Sequence, residues 1–187
     1  DLYYSSNPNY DGRFTVPILY DIKTKTIVNN ESSEILRMLS DSEGLLQFSD
    51  KKEQLLKTLY PESDKKEIDY WNEKIYETIN NGVYKTGFAE QVQAYEKNFY
   101  ILFESLDEVE DHFKQKYSES DIADKNKMLY FVGDQITEAD IRLFVTIVRF
   151  DPVYHQHFKC DLKMIRSDYP YLNNWMIKLY NHPETSA

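Results

Sequence analysis

The chain has 187 residues, 41% of them hydrophobic and 15% aromatic, with 16 tyrosines and 10 phenylalanines. That composition supports one sizeable domain, or a domain and part of another, and argues against a disordered segment although 29% of the residues are charged. The net charge of −10 argues against nucleic acid or an anionic membrane as a partner, because both need a basic footprint.

No apolar run approaches the ~18–20 residues of a membrane-spanning helix, and no secretory signal is visible. Cys160 is the single cysteine. It permits no internal disulfide, which points to a reducing, cytoplasmic home. His155 and His157 are close, but no Cys or carboxylate spacing makes a metal site with them, so no metal is expected. A start at Asp1 without Met and a polar tail after His182 read as the ends of a piece of a longer parent.

In chain order, residues 1–10 are polar and read as loop. Phe14 to Asp21 is strand-like, with Pro17 suited to the strand's start or edge. Lys23-Thr24-Lys25 is a turn, and Thr26-Ile27-Val28-Asn29 a second short strand, so the two form a hairpin. Asn30-Glu31-Ser32-Ser33-Glu34 opens a helix whose apolar stripe is Ile35, Leu36 and Leu39. Two strands and one helix do not close a core alone, and part of the sheet belongs elsewhere.

Residues 43–62 are a mixed linker with Gly44 and Pro61 as breakers. The pattern is helical beyond it. Asp64 and Glu67 have the spacing of a capping box, Ile68, Trp71, Ile75 and Ile79 follow at helical intervals, and Asn80-Asn81-Gly82 stops the helix. A second helix runs from about Val92 to Tyr117, with Tyr95, Phe99, Leu102, Phe103, Leu106, Val109 and Phe113 on one side. A third has the sharpest start: Thr137 at the N-cap, Asp140 at N3, and Ile136 with Ile141 as a hydrophobic staple. It ends near Phe150, before Asp151-Pro152. A last helix begins around Asp168 and Pro170 and carries Leu172, Trp175, Met176 and Leu179.

These stretches resemble a glutathione transferase. The resemblance rests on Val16-Pro17-Ile18-Leu19, Thr26 to Ile35, Ile79 to Ala89, Thr137 to Phe144 and Val148 to Cys160. It covers nearly the whole chain and is finest to the Xi class, the glutathionyl-hydroquinone reductases, which are omega-like. It implies a mainly α fold: an all-helical C-terminal domain over 63–187, preceded over 1–42 by the second half (β-β-α) of a thioredoxin-like domain. It also implies a reactive cysteine, in a Cys-Pro-Trp-Ala motif, that this chain lacks. No residue of the chain is therefore assigned as the nucleophile. Cys160 reads as structural, with no basic partner pattern beyond Lys159.

The implied co-substrate is glutathione, with a quinone-type small molecule as second ligand and a homodimer as the parent's assembly. By resemblance Pro17 is cis and exposes the backbone of Val16 to the cysteinyl main chain of glutathione. An ordinary trans proline at a strand edge is the other reading. Glu31 and Ser32 stand where a helix begins, suited to the ammonium and carboxylate of the γ-glutamyl group, or simply to capping. Tyr76 and Tyr84 are candidates for contact with a phenol oxygen, although tyrosines on a helix stripe commonly pack in a core. Asp140 reads as a cap, and Arg142, Arg149 and Asp151 as internal polar pairs. The implied reaction is reduction of glutathionyl-hydroquinones. Omega-type thioltransferase or dehydroascorbate reductase activity, and a non-catalytic binding module, are the alternatives.

Overall fold

In the computed structural model, which describes residues 1–41 and 59–182, the predicted hairpin forms from β1 (Leu19–Asp21) and β2 (Thr26–Asn29). The strands are antiparallel, with Tyr20 opposite Ile27, Asp21 opposite Thr26, and an irregularity between Leu19 and Tyr20. Asp21 ties the turn: its Oδ1 accepts from the N–H groups of Lys23 and Thr24 at 2.7 and 3.2 Å. Lys25 completes the reversal with a φ of 57°.

The strand is shorter than Phe14–Asp21. The reason is local competition for backbone groups. The carbonyl of Thr15 lies 2.6 Å from the Tyr3 hydroxyl, and the Thr15 N–H donates to that same hydroxyl at 3.2 Å. The carbonyl of Pro17 accepts from the Asn30 side-chain amide at 2.6 Å. Side chains thus occupy the groups a ladder would use. Residues 1–10 are likewise not all loop. A short helix α1 (Leu2–Ser6) packs on β2, and Ser6 Oγ accepts from the Ile27 N–H at 2.8 Å. Tyr3, Tyr10 and Phe14 cluster with ring centroids 4.7–5.5 Å apart. Helix α2 (Ser32–Asp41) follows the hairpin.

The chain divides into two compact units, Asp1–Tyr60 and Pro61–Ala187. Most of the expected linker lies outside the described residues. The regular elements among the second unit's described residues are all helical: α3 (Lys65–Ile75), α4 (Gly82–Gly87), α5 (Val92–Lys116), α6 (Glu119–Ala123), α7 (Glu138–Arg149), α8 (His155–His157), α9 (Ile165–Asp168) and α10 (Pro170–Tyr180). The apolar stripes read from the sequence meet in its core. Ile68, Trp71, Ile75 and Ile79 are buried there with Leu102, Phe103, Leu106, Val109, Phe113, Leu143, Ile147, Leu172 and Trp175.

Several polar groups in that core are paired, although Asn72 Oδ1 and Thr86 Oγ1 have no hydrogen-bond partner among the described residues. Asn72 Nδ2 donates to Glu138 Oε1 at 2.7 Å, joining α3 to α7. Glu110 of α5 accepts from the N–H groups of Tyr171 and Leu172 at 2.9 and 2.8 Å and so anchors the start of α10. The Thr137–Asp140 capping box forms. Asp140 accepts from the Thr137 N–H and hydroxyl, both at 3.0 Å, from the Phe131 N–H at 2.8 Å, and from Trp175 Nε1 at 3.0 Å. Burial pushes this carboxyl upward from its ordinary value while the four donors oppose that shift.

Several local details differ from the sequence reading or sharpen it. The Asp64–Glu67 box is absent, since Asp64 has φ −110° and ψ 0° and makes no side-chain cap bond. An N-cap side chain needs extended backbone to reach N3. The helix ends at Asn80, before the turn at Asn81, as the Asn80-Asn81-Gly82 stop implies, but its last turn, Tyr76–Asn80, is π-helical. The Asn80 amide there donates to Arg142 O at 2.8 Å and Thr146 Oγ1 at 2.7 Å on α7. A second π segment, Phe150–Tyr154, carries the chain through Pro152. Proline has no N–H for the i−4 ladder, and the wider i→i+5 turn accommodates that gap. Finally, Asp151 makes its internal polar pairing with Arg166 rather than with Arg142 or Arg149. It accepts from the N–H groups of Ile165 and Arg166 at 2.7 and 3.1 Å, and from Arg166 Nε at 2.9 Å, capping α9.

Candidate functional site

In the first unit the Val16–Pro17 peptide is cis, and Val16 is 88% exposed. Glu31 and Ser32 are exposed at the start of α2. The N–H of Glu31 donates to Asn29 Oδ1 at 2.7 Å, and its carbonyl accepts from Ile35 N–H at 2.9 Å. Glu31 therefore stands at the N-terminal boundary of the helix. The N–H groups of Ser32, Ser33 and Glu34 have no acceptor among the described residues. A ten-residue helix thus presents free donors and the positive end of its dipole beside one serine hydroxyl and one carboxylate.

The two segments are brought together by Asn30, which sequence reasoning passed over as part of a helix opening. Its Nδ2 donates to Pro17 O at 2.6 Å. Its Oδ1 accepts from Thr15 Oγ1 at 3.1 Å and lies 3.0 Å from the Tyr3 hydroxyl. One amide thus fixes the exposed Val16 backbone against the residue that precedes Glu31. Asn29, next along, braces the first turn by donating to Glu34 Oε2 at 2.6 Å. The available signal was two consecutive asparagines between a strand and a helix, residues that favour side-chain bonds to backbone.

Tyr76 and Tyr84 belong to the second unit, and no ring contact or hydrogen bond joins them. Tyr76 is 52% exposed, and no hydrogen bond or ring contact holds its side chain among the described residues. Tyr84 is 40% exposed and well held. Its ring meets Tyr154 edge-on at 5.6 Å and Phe158 at 5.4 Å, and Phe88 stacks at 6.2 Å. Its hydroxyl lies 3.0 Å from that of Tyr154. Gly87 lets this cluster close, since a Cβ there would lie 2.1 Å from Phe158 Cδ1. Tyr154 and Phe158 were read only as part of a motif stretch, because a pairing seventy positions apart leaves no local pattern.

Cys160 is fully buried. Burial, reinforced by the Asp161 carboxylate, pushes its thiol up to about 12. It is a poor nucleophile in this setting. Among the described residues, no group of three or more His, Cys, Asp or Glu side chains could hold a metal ion. No helix among them is long and apolar enough to cross a membrane.

Residues 92–177 match the family model of the glutathione S-transferase C-terminal domain. The chain is 47% identical over 184 residues to the glutathione S-transferase omega-like 2 of Schizosaccharomyces pombe, covering 98% of this chain and 55% of that protein. It is 45% identical over 184 residues to the glutathionyl-hydroquinone reductase PcpF of Sphingobium chlorophenolicum, covering 97% and 52%. The solved Xi glutathione transferase ECM4 of Saccharomyces cerevisiae, in complex with glutathione, superposes with a TM-score of 0.87 at 47% identity, covering 98% of this chain and 56% of that one. The chain spans about half the length of the curated relatives it matches. Residues 92–177 thus carry a glutathione S-transferase C-terminal domain, and over nearly its whole length the chain is similar to glutathione transferases of the Xi class.

Proposed function

We propose that this chain is part of a glutathione-dependent oxidoreductase that reduces glutathionyl-hydroquinones to hydroquinones and releases oxidised glutathione. The observation that carries the reading is the Asn30 clamp, which sets the exposed Val16 backbone beside a helix start with free N–H groups, Glu31 and Ser32. That arrangement suits a ligand with a main-chain-like peptide, an ammonium and a carboxylate, which is the chemistry of glutathione. The names of PcpF and of the omega-like relative, and the glutathione-bound yeast neighbour, support the same class.

In this reading residues 1–42 are the second half of a thioredoxin-like domain, 43–62 the connection, and 63–187 the helical domain. The whole protein is a cytoplasmic homodimer. Val16 and Pro17 hold the cysteinyl backbone of glutathione. The Ser32 hydroxyl and N–H donate to the γ-glutamyl carboxylate, and Glu31 accepts from the ammonium. A thiolate from outside these 187 residues attacks the sulfur of the glutathionyl-hydroquinone. The carbon–sulfur bond breaks, the leaving carbon takes a proton, and a mixed disulfide forms. A second glutathione thiolate resolves it, regenerating the first thiolate and giving oxidised glutathione. Tyr76 and Tyr84 are the phenol contacts, one of them supplying the proton.

The test uses the full-length protein. Glu31→Gln and Ser32→Ala each remove a charge-assisted bond and are expected to raise KM for glutathione roughly tenfold or more. Turnover of glutathionyl-menadiol is expected to exceed that of dehydroascorbate. The reverse preference supports an omega-type reductase instead, and turnover of neither supports a non-catalytic module. Unchanged glutathione KM in both variants would remove Glu31 and Ser32 from the site.

A further inference from the structure

Tyr154 is 2% exposed, so its hydroxyl is out of reach of bulk water. A buried O–H needs an acceptor, and leaving it unmet costs about 1–3 kcal/mol. Among the described residues the one hydrogen-bond partner of the Tyr154 oxygen is the Tyr84 oxygen, at 3.0 Å. Two hydroxyls in contact can share their bond in either direction. The surroundings decide between them. If Tyr84 donated inward, the Tyr154 proton would point into Phe158 and its apolar neighbours with nothing to accept it. If Tyr154 donates outward, every group is met, because the half-exposed Tyr84 has solvent or a ligand for its own proton.

From this geometry we infer that Tyr154 is a positioning residue for Tyr84: it donates its proton to the Tyr84 oxygen and leaves the Tyr84 O–H turned outward for an incoming acceptor. The rings enforce the arrangement. Tyr84, Tyr154 and Phe158 meet pairwise edge-on with centroids 5.3–5.6 Å apart and interplanar angles of 76–88°. The backbone carbonyl of Tyr154 accepts from the N–H groups of Phe158 and Cys160 at 3.2 and 3.1 Å, which ties that loop to the same residue. Burial, and then the bond to Tyr84, hold the Tyr154 phenol up at about 12, so its proton stays in place for donation. The inferred hydrogen bond is independent of substrate. Its kinetic consequence rests on the proposed role of Tyr84 as a phenol contact.

The test is a double-mutant cycle in the full-length enzyme with glutathionyl-menadiol as substrate, joined to ¹³Cζ-tyrosine NMR. Tyr154→Phe keeps the buried ring and removes only the donor. It is expected to lower kcat roughly 5–10-fold with KM for glutathionyl-menadiol unchanged, the worth of one hydrogen bond made to a reacting donor. Tyr84→Phe is expected to lower kcat at least as much, and the double variant is expected to match Tyr84→Phe alone, since Tyr154 acts through Tyr84. The Tyr84 Cζ resonance is expected to move in Tyr154→Phe. Independent, multiplying losses would overturn the inference, as would a Tyr84 resonance unmoved by Tyr154→Phe. A moved resonance with no kinetic effect of Tyr84→Phe upholds the hydrogen bond and discards Tyr84 as a substrate contact.

Discussion

At the scale of single residues, two side chains of opposite character are both defined by burial. Cys160 has a desolvated thiol whose thiolate is scarcely populated at neutral pH. Ellman's reagent is expected to leave it unlabelled in the native protein at mildly alkaline pH and to label a single thiol once guanidinium is added. Rapid native labelling would restore Cys160 as a nucleophile candidate. Asp140 is the reverse case, a buried carboxyl surrounded by donors from a loop, a cap and α10. In Asp140→Asn one oxygen becomes an NH₂ group, and whichever way the amide turns it faces a buried N–H. The expected loss is about 2–4 kcal/mol, read from the urea midpoint. A loss below about 1 kcal/mol would mean that the donors find other partners.

At the scale of elements, the short helix α6 depends on one carboxylate. Asp121 accepts from Ser118 N–H at 2.8 Å in a capping box and from Lys127 Nζ at 2.5 Å. The Lys127 bond, followed by the Ser118 bonds, holds Asp121 down at about 2 against an ordinary 3.8. The folded form therefore binds the proton less tightly than the unfolded form. Its contribution is complete above the ordinary value and is lost as pH falls through about 2. Carboxyl ¹³C titration is expected to give Asp121 a midpoint near 2, and Lys127→Ala to move it back toward 3.8. An unmoved midpoint would assign the effect to Ser118 alone. Elements with a repeating pattern were readable in advance. Ile68, Trp71, Ile75 and Ile79 are buried at the helical spacing that predicted them, and the Thr137–Asp140 box stands where its spacing placed it. The π segments were not readable. Asn80-Asn81-Gly82 does end its helix, but nothing in it announces the π-helical last turn whose Asn80 amide packs against α7, and the chain runs helically through the strong stop signal Asp151-Pro152.

At the scale of the whole molecule, the family and the helical character followed from several ordered stretches taken together, each weak alone. Val16, Glu31 and Ser32 were legible only because those stretches resemble a known family. The residues that hold them were not, since Tyr3 and Thr15 reach Asn30 from 27 and 15 positions away and each is unremarkable in its own neighbourhood. Tyr84 and Tyr154 pose the same difficulty across seventy positions. The Asn30 clamp has a consequence for anyone wishing to move this recognition surface onto another scaffold. Copying the strand turn and the helix start would transplant the groups that meet a ligand without the fastening that keeps them adjacent. The smallest portable unit runs from Tyr3 to the first turn of α2, and a graft that begins at Val16 would leave Asn30 with only one of its three anchors.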